Sequence, residues 1–180
     1  EMKLGLRVAE TSVATVLLLG PTGSGKTRLA RAIHEAGPRR SGPFVSVNLA
    51  TAYEGTLESE LFGHEKGSFT GANTRIAGWV ALAEGGTLFL DEIAELPVKL
   101  QSRLLELLHS RRYCPIGSRE PRTADVRIIA ATHRDLNEWV ISGRFREDLF
   151  HRLRVVEIEL PALRNREGDL DTWVHRFVHE

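Results

Sequence analysis

Apolar and polar positions along the chain fall into short blocks of two kinds. Val13-Ala-Thr-Val-Leu-Leu-Leu19 is a continuous apolar run that stops at Gly20-Pro21, the pattern of a strand covered on both faces in a parallel sheet. Leu29, Ile33 and Ala36 then recur at helical spacing ahead of Gly37-Pro38, which predicts a helix and its end. Phe44-Val-Ser-Val-Asn48 alternates as a second strand, and Thr87-Leu-Phe-Leu90 is a short apolar third. Pro97 suits the first turn of a helix that Leu100, Leu104, Leu107 and Leu108 continue on one face. Val126 to Ala131 and Val155 to Leu160 predict a fourth and a fifth strand. Strands alternating with helices predict an α/β fold, a five-stranded parallel sheet flanked by helices, with its ligand at the carboxyl ends of the strands. Residues 61–76, Gly-rich around an aromatic, and residues 111–124, mixing Arg, Pro and Gly, break the alternation and read as insertions or loops.

Composition narrows the function classes. Lys and Arg number 24 and Asp and Glu 24, so the formal net charge is zero, which excludes a polybasic nucleic-acid module and an acidic tail. With 42% hydrophobic residues the chain is too apolar for disorder. The single Cys114 excludes an internal disulfide framework, and no apolar run approaches the ~18 residues of a membrane span. A cytoplasmic protein with no membrane contact is the expectation.

Gly20-Pro21-Thr22-Gly23-Ser24-Gly25-Lys26-Thr27 matches the phosphate-loop pattern, directly after a buried strand and directly before a helix. Glycines let successive backbone N–H groups turn toward phosphate oxygens, and the helix N-terminus adds unpaired donors. Lys26 can reach the β- and γ-phosphates, and the Thr27 hydroxyl can ligate Mg2+. At Leu88-Phe-Leu90-Asp91-Glu92 an apolar strand delivers two carboxylates, Asp91 to hold Mg2+ and Glu92 to polarise an attacking water. No Asn-Lys-x-Asp sequence occurs, which favours ATP over a guanine nucleotide, and the second acid favours hydrolysis over phosphorylation of a small molecule.

The stretch Glu60-Leu-Phe-Gly-His-Glu-Lys-Gly67-Ser68-Phe69-Thr70-Gly71-Ala72 closely resembles the signature of the AAA+ domain of bacterial enhancer-binding proteins, the NtrC-like activators of sigma-54 RNA polymerase. Their hallmark hexapeptide GAFTGA is GSFTGA here. The resemblance implies that this loop contacts sigma-54 and couples the nucleotide state to remodelling of the closed promoter complex. It further implies that Asn48 holds the catalytic Glu92 until the γ-phosphate is sensed, that Thr132 is the first nucleotide sensor, and that Arg146 and Arg152 act on a neighbouring subunit's nucleotide in a hexameric ring. Residues 1–160 correspond to the AAA+ core and 161–180 to the start of a truncated helical lid, with DNA binding placed in a domain outside this chain.

Three departures accompany the resemblance. Thr27 replaces a usual Glu, His133 replaces the usual Asn after Thr132, and Val80-Ala81 replaces a Phe-Glu pair that links the loop to the nucleotide. A weakly active ATP-binding switch, or an AAA+ remodeller of another protein target, is therefore the alternative to a sigma-54-remodelling ATPase, and a small-molecule kinase is disfavoured because the 60–72 loop would have no purpose in one. His175 and His179, four apart on an expected helix, form a weak metal pair, and Arg111, Arg112, Arg119 and Arg122 form a basic cluster diluted by Glu120 and Asp125.

Overall fold

The computed structural model describes residues 15–162. Five strands form one parallel sheet: β1 Val16–Leu19, β2 Phe44–Asn48, β3 Thr87–Asp91, β6 Arg127–Thr132 and β7 Val156–Glu159, in the spatial order β2-β3-β6-β1-β7. All five expected strands are present, their ends shifted by a residue or two; Val13 and Ala14 lie outside the described residues. A separate antiparallel hairpin, β4 Arg112–Tyr113 and β5 Arg122–Thr123, occupies the segment expected as an irregular insertion.

Strand periodicity sorts the core onto two faces. Val16, Leu18, Phe89, Ile129, Ala131 and Ile158 point to one side, where helix α1, Lys26–Glu35, covers them with Ala30 and Ile33. Leu17, Leu88, Leu90, Ile128 and Ala130 point to the other. That side is covered by α2 Glu54–Phe62, the single turn α3 Trp79–Leu82, α4 Val98–Ser110, α5 Leu136–Ile141 and α6 Glu147–Leu153. Helix α4 buries Leu100, Leu104, Leu107 and Leu108, as its spacing predicts, and Pro97 is its cap residue instead of a member of its first turn. In α1 the expectation fails at Ala36, which is exposed beyond the helix; the buried face is completed by His34, whose Nδ1 lies 3.0 Å from the Thr87 hydroxyl.

Helices α2, α3 and α5 have too few apolar positions to declare themselves by period. For α5 a cap signal does exist. Asp135 accepts a hydrogen bond from Asn137 N at 2.8 Å, and Glu138 stands at the third helical position. Among the described residues no helix is long and apolar enough to cross a membrane. Beyond residue 162, most of the expected lid segment, together with His175 and His179, lies outside the described residues.

Candidate nucleotide site

Register brings the chemistry-bearing residues to one edge. Leu19 pairs with Thr132 and Asn48 with Asp91, so β1, β6, β3 and β2 all end together. The phosphate loop leaves β1, and the strand carrying Thr132 lies directly between it and the strand carrying Asp91. Gly23 and Gly25 take positive φ values of 80° and 91°, conformations that side chains resist, which explains glycine at both. Lys26 is buried, and its Nζ donates to the Gly20 and Pro21 carbonyl oxygens at 2.8 and 3.2 Å, so the ammonium is curled inside its own loop. Ser24 Oγ is buried beside Gly20 with no hydrogen-bond partner among the described residues. A buried orphan hydroxyl and a self-capped ammonium are groups that phosphate oxygens satisfy, so the loop fits a nucleotide.

The Thr27 hydroxyl lies near enough to the Asp91 carboxyl to favour its charged form, which sets the two residues assigned to Mg2+ side by side. Burial, reinforced by the neighbouring Glu92 charge, pushes the Asp91 carboxyl above its ordinary range despite the bond from Glu92 N, the Lys26 charge and the nearby Thr27 hydroxyl. A hard divalent cation, which takes oxygen ligands, suits this hydroxyl and carboxylate.

Glu92 has φ 55° and ψ 51°, a left-handed conformation that turns the chain out of β3 and into a single 3-10 turn, Ile93–Glu95. Its Oε2 accepts from His133 Nδ1 at 2.8 Å and, at 3.4 Å, from both the His133 backbone N–H and the Thr132 hydroxyl. Asn48 is engaged elsewhere, its Oδ1 accepting from Ala50 N at 2.9 Å in a local turn. Thr132 and Glu92 are thus brought together, whereas Asn48 shares the edge without touching Glu92.

Arg146 and Arg152 belong to another place. They line an open groove with Ser102, Glu106, His109 and Asp148, on the sheet face opposite α1. Arg146 pairs with Asp148 at 2.7 Å and reaches Ser102 Oγ at 3.2 Å; Arg152 donates to the Leu108 carbonyl at 3.1 Å. Neither touches a residue of the phosphate loop.

The Gly67–Ala72 segment closes on itself, with Gly67 N donating to Ala72 O at 2.8 Å and Ala72 N to Phe69 O at 3.0 Å. Thr70 is exposed, and Phe69 is 47% exposed with its ring edge-on to buried His64, centroids 5.0 Å apart. The loop stem is tied to the hairpin segment: Glu65 N donates to Ile116 O at 3.0 Å, Ile116 N to Gly63 O at 2.9 Å, and Glu65 pairs with Arg122. Arg122 is therefore an internal brace instead of part of a basic surface. At Val80-Ala81, Val80 is fully buried and Ala81 offers no polar side chain. Sequence reasoning missed the Glu65–Arg122 pair, whose partners are 57 positions apart. It noted His133 as a departure without seeing its contact with Glu92.

The sigma-54 interaction domain family matches residues 2–159. The chain is 49% identical over 174 residues to the DNA-binding transcriptional regulator NtrC of Rhizobium meliloti (strain 1021), which covers 97% of this chain and 36% of that protein. It is 50% identical over 179 residues to the regulatory protein LuxO of Vibrio cholerae serotype O1, covering 99% of this chain and 34% of that one. The chain therefore spans about a third of the length of these curated relatives, 36% and 34%. A crystal structure of NtrX from Brucella abortus in complex with ATP is 40% identical, covers 98% of this chain and 39% of its own, and superimposes with a TM-score of 0.88. With the phosphate loop, the acid pair and Thr132 on one sheet edge, the chain belongs to the sigma-54 interaction domain family, the AAA+ P-loop domain of NtrC-like activators.

Proposed function

We propose that this domain hydrolyses ATP and, within a hexameric ring, uses the nucleotide cycle to move its Gly67–Ala72 loop against sigma-54 in the closed RNA polymerase complex. The observation that carries the reading is the convergence of the phosphate loop, Asp91-Glu92 and Thr132 at one edge, on a scaffold that also presents Phe69 on a separately braced loop. Backbone N–H groups of residues 22–26 and the Lys26 ammonium bind the phosphates, the latter by exchanging the Gly20 and Pro21 carbonyls for phosphate oxygens. Mg2+, held by Thr27 and Asp91 when bound, neutralises phosphate charge. Glu92 orients and deprotonates the attacking water, and Thr132 turns its hydroxyl proton from Glu92 toward the γ-phosphate. Asn48, whose Oδ1 accepts from Ala50 N, would bond Glu92 by turning its Nδ2 amide to donate to the carboxylate. Arg146 and Arg152, on the open groove, supply charge to a neighbouring subunit's nucleotide after exchanging Asp148, Ser102 and the Leu108 carbonyl for phosphate oxygens; such arginines contribute about 10³ to 10⁵ in rate in related phosphoryl transfer. The setting is the cytoplasm, where the polymerase works.

Capture of purified sigma-54 in ADP with aluminium fluoride, measured beside phosphate release, tests this reading in the full-length protein. Wild type should do both. Phe69→Ala should lose capture with far less effect on phosphate release, and Glu92→Gln should lose phosphate release while still capturing sigma-54 in ATP. Nucleotide binding without hydrolysis or capture would favour the switch reading, which Ala81 supports because it lacks the carboxylate that links loop to nucleotide in the family.

A further inference from the structure

We infer that His133 is the positioning residue for the catalytic carboxylate, holding Glu92 through Nδ1 and leaving one carboxylate oxygen for the water. The inference rests on the ATPase reading above and adds a residue to it.

The geometry of Glu92 is asymmetric. All three of its side-chain hydrogen bonds converge on Oε2, from His133 Nδ1 at 2.8 Å and from Thr132 Oγ1 and His133 N at 3.4 Å; Oε1 accepts none from the described residues. The imidazole contact is the shortest and best formed of the three. A carboxylate oxygen only accepts, so Nδ1 carries the proton in this contact. The Thr132 oxygen already accepts from Arg134 N at 3.0 Å, which leaves its own proton for Glu92. One oxygen is thereby fixed and the other remains free to take a proton from water.

The backbone gives an independent reason for a holding group. A left-handed conformation costs a residue with a Cβ roughly 1–2 kcal/mol, and it persists only where the surroundings over-determine it. At Glu92 the N–H donates to Asp91 Oδ1 at 3.0 Å and the side chain is anchored on the end of the adjacent strand. His133 immediately follows β6, and Thr132 is the last residue of that strand, so the tether joins the acid strand to the sensor strand directly. Asn48, the other candidate, would have to hold the carboxylate through its Nδ2 donor, and it makes no such bond to Glu92 while its Oδ1 accepts from Ala50 N. The short imidazole bond makes His133 the holder in this state.

Two measurements test the assignment. In the nucleotide-free protein, ¹⁵N NMR of the His133 ring should show the Nδ1–H tautomer and should lose it in Glu92→Ala; an Nε2–H ring in wild type overturns the assignment. In the ATPase assay, His133→Ala should lower kcat on the order of tenfold with KM for ATP and Tm little changed, as loss of an orienting partner does. His133→Asn, which keeps a side-chain N–H donor at similar reach, should recover most of that loss. In a Glu92→Gln background, His133→Ala should cost nothing further, because its effect passes through Glu92. Unchanged kcat in His133→Ala, or an additive loss in the double variant, overturns the role of His133 while leaving the ATPase reading standing. Absence of ATP hydrolysis in wild type, or full activity in Glu92→Gln, overturns that reading itself.

Discussion

The nucleotide edge and the Phe69 loop are built by different means. The edge is the end of a sheet whose strands are packed on both faces, with Leu17, Leu88, Leu90, Ile129 and Ala130 wholly buried. Each buried large aliphatic side chain contributes roughly 1.5–3 kcal/mol, so displacing one strand against its neighbours costs many such contributions. The loop is held by backbone hydrogen bonds, one edge-on ring contact and the Glu65 ion pair with a partly exposed Arg122. Such ion pairs contribute about 0–1 kcal/mol each. Groups proposed to hold phosphate to within a fraction of an ångström are thus fixed by packing, whereas the loop proposed to meet a partner protein rests on contacts that a modest free energy can exchange.

Breaking the edge should give the largest effect. Lys26→Ala removes a buried ammonium that already bonds two loop carbonyls, and the charged bonds it offers phosphate are worth about 3 kcal/mol. ADP affinity by titration calorimetry should fall on the order of 100-fold with little change in Tm. Retained affinity would mean that the backbone N–H groups alone hold the phosphates.

Breaking the loop base should reverse the pattern. Gly63 and Gly78, where the chain leaves and rejoins the core, lie backbone to backbone. A Cβ on Gly78 would meet Gly63 N at 2.3 Å, Phe62 C at 2.5 Å and Leu61 O at 2.6 Å, none of them a flexible side-chain end. Gly78→Ala should therefore cost about 2–3 kcal/mol of stability, read as a lower Tm, and should weaken sigma-54 capture more than ADP binding. Equal losses of both would show that the two regions are one mechanical unit.

The same division governs what could be read in advance. Strands such as Val16–Leu19 and Thr87–Asp91 are covered on both faces, so continuous apolar runs disclose them, and the phosphate loop and acid pair follow at their ends. Helix α4 disclosed itself through four leucines on one face. Contacts made by single polar residues across long separations leave no such trace. Glu92 meets His133 across 41 positions, and Glu65 meets Arg122 across 57. The hairpin Arg112–Tyr113 with Arg122–Thr123 is only two residues deep on each side, too short for any alternation to register.

The smallest expected effect sharpens the comparison by acid. Glu58 on α2 bonds Lys99 at 3.2 Å and Arg103 at 2.5 Å on α4, and Arg103 also lies 4.3 Å over the Phe62 ring, so this cluster braces the helix that leads into the loop. Burial pushes the Glu58 carboxyl up, but the hydrogen bonds from Lys99 and Arg103 outweigh it and hold the group below its ordinary value. A carboxyl with a depressed folded-state pKa contributes stability in full above its unfolded value, about 4.3, and loses it as pH falls through the folded one. Glu58→Gln should therefore lower Tm at pH 7 by about 2–4 °C, corresponding to about 1 kcal/mol, and the gap from wild type should close as pH falls below about 4. ADP affinity at pH 7 should be the same in both proteins, since Glu58 touches no residue of the phosphate loop. A parallel fall in ADP affinity would join the loop base to the nucleotide edge through α4.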